Sequence, residues 1–311
     1  MFVLSIVSLG ILYLGYKYYG SFLEKIYNVK ETEITPSVQK NDGYDYVPTN
    51  KWILLGHHFS SIAGAGPIVG PIIAAVYFGW VPALIWIIVG SIFLGSVHDF
   101  SSLIISIRHE GKSIAEIANI YINKKTYKVF LIFIWFALMY VVAVFTDITA
   151  STFASQPEVS EISVLYILIA VVFGYFSYKL NWNKAVMTVI SIVIITAGIV
   201  LSFKYRFMIV DKQNWINLLL IYAFLASVLP VWILLQPRDY LSSYLLYFSV
   251  LIGIFGLFFS NSSISYPAYT GFYSESIGPL FPFLFVTIAC GAISGFHSLV
   301  ASGTTSKQID Y

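Results

Sequence analysis

Charge is what this chain has least of. Asp, Glu, Lys and Arg together make up 10% of its 311 residues, against roughly 25% in an ordinary soluble domain, and that shortfall excludes a water-soluble globule. Cysteine is almost absent too. Cys290 stands alone, so no intrachain disulfide can form, and its apolar neighbours suit a small packing residue. A nucleic-acid face is excluded by the mild formal net charge of +2 and by basic residues scattered between apolar runs instead of lining a stripe. No linker, low-complexity tract or soluble-domain composition interrupts the chain.

What is present in excess is apolar sequence: 58% of residues, with a mean hydropathy of +0.82. It falls into nine segments, 1–20, 52–78, 80–105, 129–149, 162–179, 183–203, 215–235, 240–260 and 280–303, each near the ~20 residues that cross a bilayer as a helix. Lipid offers no partner for backbone amides and carbonyls, so each must be helical. The fold class expected is an all-α polytopic membrane protein of about nine transmembrane helices. The opening run has no basic residues before it and no small-x-small cleavage site after it, and it ends in Tyr16, Lys17, Tyr18 and Tyr19. That is the aromatic and basic end of an uncleaved spanning helix.

Counting Lys and Arg on alternate sides gives an orientation. Fourteen lie on the side of the 21–51 and 106–128 loops, and three, Lys204, Arg206 and Lys212, on the other, which accounts for all seventeen. Basic residues stay inside, so the amino terminus is expected outside a prokaryotic inner membrane and the 106–128 loop in the cytoplasm.

The second segment departs from ordinary helix sequence. Gly64, Gly66, Pro67, Gly70 and Pro71 fall close together, and proline's missing donor with glycine's open backbone predicts a break between Ala63 and Pro71. Bare half-helix ends at membrane depth are what transporters use to hold substrate anions and coupling cations; a tight helix crossing or a proline kink is the bland alternative. Around that break, Gly64, Ala65, Gly66 and Pro67 are candidate substrate- or ion-binding positions, with His57, His58, Ser60 and Ser61 one turn earlier. Histidine titrates near neutrality and suits a proton relay, or it makes a structural hydrogen bond. Adjacent histidines project about 100° apart on a helix, and no further ligands follow at matched spacing, so no metal or other cofactor is expected.

Asp99, beside His98, is costly inside the third segment unless paired or hydrated; it is a candidate proton-coupling group or a helix-packing carboxylate. Asp147 reads as a solvated residue at the outer end of segment four. Segment seven carries Pro230 and then Gln236, Pro237, Arg238 and Asp239, so a second interrupted helix is expected, with Arg238 and Asp239 as a gate ion pair or a turn anchor. In segment nine Ser294, Ser298 and Ser302 recur every fourth residue, which on one helix makes a hydroxyl stripe. With His297 and the Gly303, Thr304, Thr305 end it forms a candidate ion or substrate wall, or a close-packing face.

Three strings are specific: PTNKWILLGHHFSSIAGAGPIVGP at 48–71, QPRDYL at 236–241 and CGAISGFHSLVASGTTSKQ at 290–308. Together they resemble the carbon starvation (CstA) family. That resemblance implies a bacterial or archaeal membrane protein tied to carbon starvation, described in the family as a peptide transporter and in some cases as a proton-coupled pyruvate importer. It also implies a core of two inverted five-helix repeats whose first helices are broken. Segment 1–20 would be an extra helix, 52–203 repeat one and 215–311 an incomplete repeat two, with segments two and seven broken and segment nine beside segment two. Family members continue with further spans, so a missing C-terminal part or a second chain is an expected partner.

The leading expectation is therefore a secondary transporter that imports a peptide or a small carboxylate such as pyruvate, coupled to protons or, through the segment-nine hydroxyls, to sodium. The other classes are a non-transporting membrane sensor or subunit and a metal-dependent membrane enzyme. No ligand or nucleophile constellation favours the enzyme.

Overall fold

In the computed structural model of the chain, the described residues are 1–30, 33–180, 182–205, 208–230, 233–259 and 263–310. Arg206, counted above on the sparsely charged side, lies outside them, as do residues 231–232 and 260 of the expected seventh and eighth segments. Helices dominate: α1 Phe2–Tyr27, α4 Trp80–Arg108, α5 Lys124–Ser155, α6 Pro157–Ser177, α7 Lys184–Lys204 and α9 Leu235–Phe259 are each long and apolar enough to cross a membrane, as is the stretch Leu280–Lys307. The pair α2 Lys51–Ile62 and α3 Ala65–Phe78 is bent by 43° at its break and is long and apolar enough only when its two halves are taken together. The seventh expected segment holds α8, Lys212–Val228, of 17 residues. At 1.5 Å per residue it reaches about 26 Å, short of the ~30 Å hydrocarbon core.

Side-chain caps place several helix starts. Asn50 accepts from Trp52 N, Asn123 from Thr126 N, Asn183 from Ala185 N, and Asp211 from Asn214 N, each satisfying an amide that the first turn leaves bare. The turn between α3 and α4 is made by Gly79 at φ +91, where a Cβ would meet Ala268 O at 2.5 Å. No L side chain fits there.

Segment nine is two helices, and this corrects the continuous hydroxyl stripe expected from its spacing. Helix α10, Leu280–Ala292, ends at Ile293, and Ser294 caps α11, Gly295–Gly303, by accepting from Phe296 N. A residue at a cap has left the helical path, so only Ser298 and Ser302 keep the α-helical relation.

The chain divides into two compact units, one of Met1–Asp42, Tyr46–Ile117 and Leu245–Tyr311, the other of Gly43–Asp45 and Ala118–Tyr244. In the first, α3, α4 and α10 enclose a core of Ala74, Phe78, Ala83, Leu284, Ile288 and Ala292. Small residues let the backbones close up. A Cβ on Gly70 would overlap the Thr287 carbonyl, one on Gly95 the Ala292 carbonyl, and one on Gly291 would sit 3.0 Å from Pro67 Cα. In lipid, where burial of apolar area gives no drive between helices, such close packing is what holds them. The two interrupted segments therefore lie side by side, as the resemblance implied for segments two and nine.

In the second unit, Ala170, Phe173, Met187 and Leu241 form one core and Ala150, Phe153 and Trp215 another. The Pro230 interruption falls between α8 and α9, past the end of α8. Gln236, Pro237, Arg238 and Asp239 thus lie in the first turns of α9, where a proline loses no intrahelical bond, and not after the end of the preceding span.

Gly70→Val is expected to destabilise the protein in detergent by about 1–3 kcal/mol through overpacking. Gly10→Val, at a position with nothing within 4 Å of its Cβ, is expected to leave it unchanged. Denaturant titration followed by circular dichroism distinguishes the two.

Candidate functional site

The break in the second segment is short. Only Ala63 and Gly64 leave the helix, with Ala63 at ψ 48 and Gly64 at ψ −164. Gly66, Pro67, Gly70 and Pro71, expected within the break, lie in α3. Pro67 falls in its first turn, where no donor is required, and Pro71 is tolerated further in. Gly64 caps α3 with no side-chain cap hydrogen bond for its first amides, those of Ala65 and Gly66. Ser61 donates back to His57 O at 2.8 Å, and Ser60 is half-buried.

Asp99 is the centre of the polar cluster in the first unit. Its Oδ1 lies 2.9 Å from His98 Nδ1 and its Oδ2 lies 3.2 Å from His297 Nδ1. An ionised carboxylate only accepts, so both facing ring nitrogens carry hydrogen. The His297 contact joins α4 to α11 across the sequence, and His297 is 7% exposed. Its other nitrogen, Nε2, is buried with no hydrogen-bond partner among the described residues. His57 is buried at 4% exposure. His58 Nδ1 lies 2.8 Å from Thr305 Oγ1.

Two cavities adjoin this cluster. The larger, about 730 Å³, is walled by Leu12, Leu23, Ile92 and Phe100, with His58 and Asp99 among its few polar residues. The smaller, about 300 Å³, is lined by Lys51, His58, Thr305 and Asp310 among others. His58, Leu55 and Leu103 line both.

The serines of segment nine are bound inward. Ser298 Oγ donates to Gly295 O at 3.1 Å and Ser302 Oγ to Ser298 O at 2.7 Å. Ser106 Oγ is 2.9 Å from both Ser302 O and Ser306 Oγ, so this face seals α4 against α11. Beyond it, residues 35–49 are stitched to the tail: Thr35 Oγ1 donates to Asp310 O at 2.7 Å and Thr49 N to Gln308 O at 3.0 Å. There the exposed pair Lys40 and Glu110 meets at 2.6 Å. The hydrogen bond holds the Glu110 carboxyl below its ordinary range and raises the Lys40 ammonium.

Arg238 and Asp239 belong to the second unit. Arg238 Nη2 meets Asp239 Oδ1 at 2.7 Å and Nη1 meets Tyr222 OH at 3.0 Å, and Tyr166 OH donates to Arg238 O. Asp239 is 4% exposed; a pair so buried is held by its surrounding hydrogen bonds as well as by its charges. Asp147 is exposed and pairs with Lys212 at 2.7 Å, as its solvated reading implied. Among the described residues no three His, Cys, Asp or Glu side chains are placed to hold one metal ion.

Sequence reading found Asp99, His58 and His297 but missed their partners. An acid in an apolar helix demands a partner, and the chain has only five histidines; that narrows the choice without naming His297. Thr305 stands out in the sequence only as part of a hydroxyl-bearing end, and nothing there pairs it with His58.

The profile described as carbon starvation protein CstA matches residues 1–311. The chain is 36% identical over 325 residues to the peptide transporter CstA of Campylobacter jejuni, covering 99% of this chain and 46% of that relative. It is 38% identical over 316 residues to the peptide transporter CstA of Bacillus subtilis, covering 98% and 52%. It is also 36% identical over 319 residues to the pyruvate/proton symporter BtsT of Escherichia coli, covering 98% and 44%. The chain thus spans about half the length of these curated relatives. No solved structure matches it significantly.

A double-mutant cycle on Asp99→Ala and His297→Ala is expected to give a coupling free energy within the 0.5–3 kcal/mol range of about that size seen for contacting polar pairs. Additive single losses in detergent unfolding would show that the two side chains do not interact.

Proposed function

This chain belongs to the carbon starvation protein CstA family, and from that membership we propose that it carries the coupling site of a secondary transporter importing a peptide or a small carboxylate such as pyruvate together with protons. One observation carries the reading. Asp99 is held between His98 and His297 within an apolar helix, beside two interrupted segments and at a cavity wall. Such a carboxylate is expensive in hydrocarbon, and its usual use is to take up and release a proton or to meet a substrate. Imidazoles beside it exchange protons near neutral pH.

In the cycle we infer, Asp99 and His297 share a proton taken from the cavity side. Protonation removes the carboxylate's charge and loosens its hold on α11, which frees the α10–α11 break to move against the α2–α3 break. The amides of Ala65 and Gly66 are the groups offered to a substrate carboxylate. The inverted-repeat boundaries belong to the same proposal, with 52–203 and 215–311 as its repeats, and so does the pair Arg238 and Asp239 as a gate. Basic-residue asymmetry supports a prokaryotic inner membrane with the amino terminus outside. Relatives named as transporters support a carrier over an enzyme, and no specific observation favours sodium.

The test is uptake of labelled pyruvate and of a labelled dipeptide into proteoliposomes holding this chain or a full-length relative, with and without an imposed proton gradient. Gradient-dependent accumulation of one substrate is expected. Uptake that ignores the gradient, in both proteins and for both substrates, would overturn proton coupling.

A further inference from the structure

His58 borders both cavities, together with Leu55 and Leu103. Of those three only His58 can carry a proton. Its Nδ1 is engaged by Thr305 Oγ1 at 2.8 Å, which leaves Nε2 as the nitrogen available for exchange. Thr305 itself is anchored. It is 5% exposed, and its carbonyl accepts from Gln308 N and Ile309 N, both at 3.0 Å. The tail it begins is fastened by Ser37 Oγ to Ile309 O at 2.5 Å and by Val47 N to Lys307 O at 3.2 Å. A threonine whose backbone is held so firmly fixes where the imidazole's Nδ1 is met.

We propose that Thr305 is the positioning residue of His58, holding that imidazole where it borders both cavities so that it passes protons between the Asp99 cavity and the cavity lined by Lys51 and Asp310. This rests on the transport reading above and names the path of its proton. The step balances simply: water in one cavity gives a proton to Nε2 of neutral His58, forming imidazolium, and Nε2 gives that proton up to water in the other, with the Nδ1 contact to Thr305 kept and no other bond changed. The charged groups around the ring are Asp99 from α4, His297 from α11, His57 on its own helix, Glu24 from α1, and Lys51 with Asp310 in the smaller cavity.

The experiment measures carbethoxylation of His58 by mass spectrometry across pH in the purified protein, for the wild type, Thr305→Val and Thr305→Ser. The labelling midpoint is expected to move by about half a unit or more in Thr305→Val and to return close to wild type in Thr305→Ser, while His109 labelling stays put. An unmoved midpoint in Thr305→Val overturns the proposal. Should the valine variant not fold, the nitrogen shifts of His58 in the unmutated protein decide the matter: an Nδ1 shift displaced by hydrogen bonding is expected, and the Nδ1 shift of an unbonded imidazole overturns the contact. In proteoliposomes, gradient-driven accumulation is expected to fall about fivefold in Thr305→Val, with exchange in the absence of a gradient reduced far less. Wild-type transport unchanged by the valine would sink the relay. A wild type that does not transport at all would sink the transport reading instead, and the His58 midpoint would still judge the contact.

Discussion

A carboxylate inside hydrocarbon must be met by something, and Asp99 is where this chain faces that demand. Its cost in an apolar environment is several kcal/mol or more if left alone. The structure answers with two imidazoles, one from the preceding residue and one from α11. The second matters more, because it makes the packing of two distant segments depend on the charge of one group. Removing that charge by protonation weakens a contact between helices and not merely a side-chain pairing. That is the physical basis on which a proton can drive movement.

Position follows from backbone that cannot tolerate bulk. Gly70 and Gly291 bring α3 and α10 within backbone contact, and Gly95 does the same for α4. With these helices fixed against each other, the interruptions at Ala63–Gly64 and Ile293–Ser294 occur beside the polar cluster. Two helix breaks thus lie in the same unit as one titratable group, while the hydroxyls of Ser106, Ser302 and Ser306 close the seam on one side. Residues 35–49 and the tail from Thr305 extend that seal to the smaller cavity. Bulk on the small residues would disturb all of this together.

Much of this was legible in the sequence because lipid imposes simple rules. Apolar runs gave the helices, and the Gly and Pro cluster marked the break of the second segment, although the break is shorter than the cluster because prolines fit first turns. The break at Ser294 is not legible in the sequence: serines spaced by four look helical, and nothing local distinguishes a capping serine from one on a face. Pro230 was read inside a helix and lies between two, because sequence fixes an interruption better than it fixes which side each half belongs to. Asp99 and His297 were each singled out by rarity, yet their meeting is a tertiary fact that no spacing encodes. The same holds for Thr305 and His58.

Proton movement itself gives the most direct measurement. With a pH-sensitive dye sealed inside proteoliposomes, adding the transported substrate outside is expected to acidify the lumen in the wild type and to leave it unchanged in Asp99→Asn. Substrate entry with no acidification in the wild type, or full acidification in Asp99→Asn, would contradict a coupling site built on Asp99.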